Sequence, residues 1–157
     1  MKPAMSTLEA KIPPPAVALG TAVLMWLVSL ALPAMAFPLP GRMVMASVLG
    51  ALGFITAVSG ALAFRSARTT LNPTTPAAAT SLVANGIYTV TRNPMYLGLL
   101  LVLTGWALFL ANALGFIFLP AFVFYINRFQ IRPEEKALTS VFGQEFAAYR
   151  ARVRRWL

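Results

Sequence analysis

Two short polar motifs contain the residues of this chain that are best suited to chemistry. The first, Arg92-Asn93-Pro94-Met95-Tyr96, stands where a polar loop meets an apolar run, and the second is the acidic pair Glu134-Glu135 in a basic segment. An Arg binds carboxylates and phosphates, and a Glu accepts protons or binds cationic groups. The sequence has no Cys and no His, which excludes thiolate nucleophiles, Cys/His zinc sites, haem-ligating histidines and Ser-His triads.

The first motif predicts a helix start that can bind an anion. Asn is favoured at the N-cap of a helix, and Pro is favoured at the first helical position. We therefore expect a helix to begin at Pro94, with Asn93 as its cap and Arg92 beside its free N–H groups. Together these groups can bind a carboxylate or a phosphate. In the simpler interpretation, Asn93-Pro94 only caps the helix and Arg92 only anchors it at the membrane surface.

The acidic pair also has two interpretations. Pro133 precedes it, and both Pro and acidic residues are favoured in the first turn of a helix, so the pair can simply stabilise a helix start. Alternatively, one Glu binds a cationic or hydroxyl-bearing ligand. Gln130 stands four residues before Glu134 and shares its helical face if the helix runs through Pro133.

The composition predicts the kind of scaffold that positions these motifs. The chain has 157 residues, of which 59% are hydrophobic and 11% charged, against roughly 25% charged residues in an ordinary soluble domain. A single core cannot bury that much apolar side chain, so we predict an all-α integral membrane protein, a polytopic helical bundle. Its net charge of +9 is then expected to face membrane lipids and not nucleic acid.

Four membrane spans are predicted. A bilayer core of about 30 Å needs roughly 20 helical residues, and two uncharged stretches meet this requirement. A third apolar block is interrupted by Asn112, Gly115 and Pro120, so we interpret it as two spans joined by a tight hairpin over residues 111–115. The predicted spans are residues 16–37, 43–64, 95–110 and 116–126.

The basic residues predict the orientation of these spans. With four spans, Arg42 lies on one side of the membrane and the other basic residues lie on the opposite side, so both termini are predicted to be cytoplasmic, in a bacterial inner membrane. An alternative takes residues 1–36 as a signal peptide ending in Ala34-Met35-Ala36, although the apolar run is long for one. The residues predicted to be cytoplasmic are Lys2, Lys11, Arg65, Arg68, Arg92, Arg128, Arg132 and the arginines that follow.

Two polar segments complete a single membrane domain over residues 1–157. Residues 66–94 form a predicted cytoplasmic loop, in which Asn72-Pro73 and Thr75-Pro76 break regular structure. Residues 128–157 form a predicted cytoplasmic amphipathic helix whose apolar stripe faces the membrane or the bundle; a plain surface anchor is the simpler interpretation. The stripe comprises Leu138, Val141, Phe142, Phe146, Tyr149, Val153 and Trp156.

The two motifs extend into a longer pattern that resembles a known superfamily. The first block reads Gly86-x-Tyr88-x-x-x-Arg92-Asn93-Pro94-Met95-Tyr96-x-Gly98. The second reads Glu134-Glu135-x-x-Leu138-x-x-x-Phe142-Gly143-x-x-Phe146-x-x-Tyr149-x-x-x-Val153-x-Arg155. In this order, with a membrane hairpin between them, the blocks are similar to the isoprenylcysteine carboxyl methyltransferase and phospholipid methyltransferase superfamily, over residues 82–157.

The resemblance implies an integral membrane enzyme that uses S-adenosylmethionine to methylate a lipophilic or small acceptor, without a metal. It implies a cofactor pocket between the last spans and the C-terminal segment, with Gln130 and Tyr149 on the acceptor side. Glu134, as a base for an amine acceptor, and Arg128 and Arg132 are the catalytic candidates. The cofactor-binding candidates are Tyr88, Arg92, Asn93, Pro94, Tyr96, Leu97, Gly98, Glu134 and Glu135.

One position departs from the family pattern. Carboxyl methyltransferases of the family have an Arg four residues before the first Glu, where this chain has Gln130. A prenylated-protein carboxylate is therefore a disfavoured acceptor. A non-catalytic membrane scaffold or partner subunit is the alternative function. A transporter is disfavoured, because no ionisable side chain of the kind that forms ion pathways lies inside a predicted span.

Overall fold

A computed structural model of the chain describes residues 12–67 and 81–157, which form a helical bundle without β-strands. The predicted all-α membrane fold is confirmed. Two of the helices are long and apolar enough to cross a bilayer, as is the continuous helical stretch from Ala113 to Arg152, and a shorter apolar helix packs among them. The α-helices are α1 (Pro14–Ala31), α2 (Arg42–Ser66), α3 (Pro94–Leu110), α4 (Phe118–Ile126) and α5 (Arg132–Arg152).

Helix α1 is shorter than the first predicted span. The prediction that this span continues to Phe37 is wrong, because α1 ends at Ala31 and a 3₁₀ turn follows over Pro33–Met35. A residue before proline is disfavoured in the α conformation, so Pro33 ends the helix. Met25 of α1 is fully buried in the bundle core.

Helices α2 and α3 pack with their backbones in close approach. A Cβ atom added to Gly98 of α3 would lie 2.5 Å from the carbonyl oxygen of Gly53 in α2 and 2.8 Å from the Cβ of Ala57. A Cβ atom added to Gly60 would lie 3.0 Å from the side chain of Pro94. The small residues along one face of α2 therefore serve an intramolecular helix contact, as small residues do between membrane helices.

The two loops at the far end of the bundle bind each other. Ala111 ends α3 in the left-handed conformation, with φ of 48°. The buried side chain of Asn112 then accepts a hydrogen bond from the Leu114 N–H at 3.1 Å and donates one to the Leu32 carbonyl at 3.0 Å. The Phe37 N–H also donates to the Ala111 carbonyl. The predicted hairpin between the third and fourth spans is present, and hydrogen bonds hold it against the loop between α1 and α2.

Helix α4 continues into α5 without a loop. A π-helical turn over Asn127–Ile131 joins them, and α5 later bends at Gly143, whose φ of 47° and ψ of −116° favour glycine. Glu134 and Glu135 therefore do not stand at a free helix end. They do lie in the first turn of α5, after Pro133, as the simpler interpretation of the pair predicts.

The described basic residues other than Arg42 lie at one end of the bundle, as the sequence predicts. Arg42 begins α2 at the end that holds the two joined loops, whereas the starts of α1 and α3 lie at the opposite end with all of α5. Lys2, Lys11, Arg68, Asn72-Pro73 and Thr75-Pro76 lie outside the described residues. The described basic residues at the α5 end are Arg65, Arg92, Arg128, Arg132, Lys136, Arg150, Arg152, Arg154 and Arg155.

Candidate functional site

The first motif begins a helix as predicted, but Asn93 does not cap it. Helix α3 starts at Pro94 and Asn93 occupies the N-cap position, yet its side chain makes no capping hydrogen bond. Its Nδ2 instead donates to the carbonyl of Arg155 at 2.8 Å. The expected local role of Asn93 is therefore replaced by a long-range one, and the capping interpretation of its side chain is wrong.

A short segment after α5, residues 153–157, lies across the start of α3, and we call it the strap. The Arg92 N–H donates to the carbonyl of Arg154 at 3.0 Å. The Thr91 hydroxyl donates to the carbonyl of Arg155 at 3.2 Å, and Thr91 is fully buried beneath it. These hydrogen bonds to the strap fix the position of the backbone at Arg92.

Glu135 links two arginines from distant parts of the chain. Arg155 binds it with two hydrogen bonds, Nη2 to Oε2 at 2.6 Å and Nε to Oε1 at 3.1 Å. Arg92 Nη1 lies 3.0 Å from Oε1, in an ion pair whose angles do not form a hydrogen bond. Two guanidinium groups share one carboxylate, so this cluster carries a net positive charge.

Arg92 has buried donors that the described residues do not satisfy. Its Nε and Nη1 atoms are inaccessible to solvent and lack a hydrogen-bond acceptor in residues 12–67 and 81–157. Burial lowers the pKa of Arg92, an effect that Glu135 opposes. Buried donors without acceptors are rare in proteins, and a catalytic role or a bound ion or water is a common reason for them.

Glu134 lies beside this cluster and is bonded to Tyr96. The Tyr96 hydroxyl donates to Glu134 Oε1, which connects the first turn of α3 to the start of α5. Burial raises the pKa of Glu134 to about 7; the hydrogen bond from Tyr96 lowers it in part, and the charge of Glu135 raises it further. A carboxyl group with a pKa near 7 is suited to general-base chemistry at neutral pH.

Tyr88 and Tyr149 attach α5 to the loop before α3. Both are buried, and the Tyr149 hydroxyl donates to the Tyr88 carbonyl at 2.7 Å. Burial raises the pKa of Tyr149 to about 12, against a lowering by Arg92, and burial also raises the pKa of Tyr88. Phe146 packs in the same cluster. Most of the apolar stripe of α5 therefore faces this loop, whereas Val141 is exposed.

The three candidates that precede the Glu pair do not gather around it. Gln130 is fully buried, with Nε2 donating to the Ile12 carbonyl at 2.7 Å and Oε1 lacking a partner among the described residues. Arg128 is half-buried and its guanidinium lies 5.4 Å from the ring centroid of Phe129. Arg132 is exposed, and the described contacts do not join it to the Glu pair.

The apolar candidates in the first turns of α3 have packing roles in the structure. Pro94 and Leu97 are buried within the bundle, and Gly98 provides the close contact with α2. The polar candidates that the structure brings together are Arg92, Asn93, Tyr96, Glu134 and Glu135, with Tyr88 and Tyr149 beside them.

Two residues of the cluster were missed as site candidates in the sequence. Thr91 gives no signal, because a Thr in a loop is commonplace. Arg155 stands at the end of the second block, but 20 residues separate it from Glu135. The basic character of its neighbours favours a membrane-surface role, and local spacing cannot reveal that its side chain returns to the acidic pair.

The sequence model of the family described as phospholipid methyltransferase matches residues 41–145. The chain belongs to the phospholipid methyltransferase family. A protein of Haemophilus influenzae, described as an uncharacterized protein, is 49% identical over 63 residues, which are 40% of this chain and the whole of that protein. No solved structure gives a significant match.

The family match covers most of the membrane bundle and both polar motifs. It includes α2, α3, α4 and the Glu pair, and it ends before the strap. The resemblance seen in the motifs is thereby confirmed, and the protein is an integral membrane member of a methyltransferase family.

Proposed function

We propose that this protein transfers a methyl group from S-adenosylmethionine to a lipophilic or small acceptor at the membrane surface. The observation that carries the proposal is the pair of buried, unsatisfied donor atoms on half-buried Arg92, next to the N-terminus of α3. A guanidinium and a helix start both favour an anion. The carboxylate of S-adenosylmethionine is an anion of suitable size.

The residues around Arg92 fit the other groups of this cofactor. Glu135 is bound by Arg92 and Arg155. Within the part of the chain that the structure describes, Glu134 is bonded to the Tyr96 hydroxyl alone, so it has lone pairs for an ammonium or a ribose hydroxyl. When bound, S-adenosylmethionine supplies a methyl group that its sulfonium charge already activates. The protein then needs to orient the acceptor and exclude water, and a protein nucleophile is unnecessary.

Glu134 is the residue we propose for proton transfer. An amine acceptor must lose a proton when it is methylated, and a carboxyl group with a pKa of about 7 is partly ionised at neutral pH and can take it. A carboxylate acceptor needs no base. The burial of Gln130 where carboxyl methyltransferases have Arg further disfavours a carboxylate.

An apolar groove supports a lipophilic acceptor. It has a volume of about 730 Å³ and opens between α1, α2 and α3. Leu99, one turn along α3 from Tyr96, lines it together with Trp26 and Trp106. A hydrocarbon chain fits such a lining, and the end of the groove at Leu99 approaches the turn that carries the polar cluster.

Cofactor binding tests the proposal directly. Calorimetry on the protein in nanodiscs should show binding of S-adenosylhomocysteine, and Arg92→Gln should weaken it about 10- to 150-fold, the effect of losing a hydrogen bond with a charged group. Arg65→Gln, at an exposed arginine on the same end of the bundle, is the matched control and should bind normally. Absence of binding to the unmodified protein in detergent and in nanodiscs contradicts the proposal.

Turnover distinguishes the enzyme from a non-catalytic scaffold. Membrane lipid and metabolite extracts incubated with the protein and methyl-labelled S-adenosylmethionine should yield a labelled product by mass spectrometry. The Glu134→Gln variant should bind the cofactor analogue more weakly and form less product. Cofactor binding without any labelled product supports the scaffold instead.

A further inference from the structure

We propose that Arg155 is a positioning residue for Arg92, and that the strap is therefore part of the cofactor site; this inference rests on the proposed function. Arg155 acts through its main chain and its side chain together. Its carbonyl accepts hydrogen bonds from the Asn93 amide and the Thr91 hydroxyl. Its guanidinium binds both oxygens of Glu135. One residue thus holds the backbone on either side of Arg92 and the carboxylate in front of it.

The bonds from Arg155 determine how much of Arg92 is available to a ligand. Glu135 accepts its hydrogen bonds from Arg155, so Arg92 contacts only one carboxylate oxygen and keeps Nε and Nη1 without an acceptor among the described residues. Without the Arg155 guanidinium, both oxygens of Glu135 could bind Arg92 as a bidentate pair, which is the geometry that arginine and carboxylate favour. Arg155 therefore keeps Arg92 from being neutralised by its own neighbour.

The strap is held at both ends, so Arg155 has a fixed position. At one end, the Val153 N–H donates to the Tyr149 carbonyl at 3.1 Å. At the other, the Trp156 indole N–H donates to Asn127 Oδ1 at 3.2 Å, and the ring packs against the bundle core. Asn127 belongs to the π-helical turn before α5, so the strap is attached at both ends to the continuous helix that carries Glu135.

The test compares two ligands on neighbouring arginine variants of the full chain in nanodiscs. S-Adenosylhomocysteine carries the carboxylate that Arg92 would bind, and 5′-methylthioadenosine lacks it. Arg155→Gln should weaken binding of the first at least tenfold and change the second less than twofold. Arg154→Gln removes the same charge from an exposed side chain of the strap and should change neither. Arg155→Lys keeps the charge but cannot form both hydrogen bonds with Glu135. Its loss of affinity for S-adenosylhomocysteine should therefore lie between the losses of Arg154→Gln and Arg155→Gln.

The outcomes separate this inference from the proposed function. If Arg155→Gln and Arg155→Lys both bind S-adenosylhomocysteine as the unmodified protein does, Arg155 does not position Arg92. If they weaken both ligands equally, Arg155 supports the whole fold and the inference is also wrong. Should Arg155→Gln fail to fold, the lysine variant decides by the same comparison. If the unmodified protein binds neither ligand, the proposed function itself fails.

Discussion

The Tyr96 hydroxyl donates a hydrogen bond to Glu134 Oε1, across 38 residues of sequence. This bond joins the two polar motifs of the chain at the level of single atoms. It also gives the carboxylate a hydrogen-bond partner. Without such a partner, burial of a carboxylate is unfavourable. Glu134 is therefore the residue at which structure and chemistry can be tested together.

Stability should depend on pH through Glu134. Its pKa is raised from the model-compound value of 4.5 to about 7 in the folded state, so the folded protein binds more protons than the unfolded one between these values. Stability contributed by protonated Glu134 is thus fully present below about pH 4.5 and is lost as the pH rises through about 7. Glu134→Gln should lose less stability over this range than the unmodified protein.

Thermal unfolding in nanodiscs at several pH values measures this difference. Glu145→Gln, at an exposed carboxylate of the same helix, is the control and should keep the pH dependence of the unmodified protein. The assignment of the pH dependence to Glu134 is wrong if the Glu134→Gln and Glu145→Gln curves are parallel.

Loss of the Tyr96 hydroxyl should raise the pKa of Glu134 further. The hydrogen bond from Tyr96 favours the ionised carboxylate and lowers its pKa, so Tyr96→Phe removes that effect. The rising limb of the activity–pH profile should move to higher pH for an amine acceptor. Tyr125→Phe is a matched control, because the Tyr125 hydroxyl is buried without a partner among the described residues. An unchanged profile in Tyr96→Phe would show that Glu134 is not the titrating base.

Tyr149→Phe should affect stability and leave cofactor affinity unchanged. The variant removes a buried hydrogen bond to the Tyr88 carbonyl, which we expect to cost about 0.5–1.5 kcal/mol or somewhat more because the carbonyl is left unpaired. Chemical unfolding and calorimetry with S-adenosylhomocysteine measure the two quantities. If stability is unchanged while the Michaelis constant of the acceptor rises, Tyr149 binds the acceptor and does not mainly attach α5.

Gly98→Ala should destabilise the bundle. The added methyl group would lie against the backbone of α2, which cannot move away as a flexible side chain can, so we expect a cost of about 1–3 kcal/mol. Gly20→Ala is the control, since its methyl group meets nothing within 4 Å. Equal unfolding temperatures of the two variants would contradict the close packing of α2 on α3.

Single cysteines report the orientation of the bundle, because the chain has no native Cys. Asn85→Cys and Ala113→Cys place exposed thiols at opposite ends of the bundle. By the positive-inside rule, an impermeant thiol reagent added to intact cells should label only the second. Labelling of Asn85→Cys alone would reverse the predicted orientation.

The spans were predictable because hydropathy and helix-start signals are local. Pro94 begins α3 as its neighbours indicate, and Asn112 turns the chain within the predicted hairpin. The end of α1 was missed because the apolar run continues past Pro33. Hydropathy does not show that a proline restricts the backbone of the residue before it. The wide π-helical turn before Pro133 was also unpredictable, yet it lets α4 and α5 join without a break.

The candidate site was predictable in its residues but not in its connections. Arg92, Tyr96 and the Glu pair stand out by type and setting. Asn93 has a strong local preference for capping, but a carbonyl 62 residues away binds its side chain instead. Such a contact depends on the path of the strap, which the spacing of residues along the chain does not encode.

The unbroken path from α4 through the π-helical turn into α5 has a mechanical consequence. A loop would absorb movement of the membrane helix, whereas a continuous helix transmits its tilt to Glu134 and Glu135. Arg92 stands two residues before α3, which packs closely against α2. The tilt of a membrane helix is set by its packing against neighbouring helices and by its residues at the membrane surface. The packing of α4 within the membrane thus bears directly on the spacing between the guanidinium and its carboxylates.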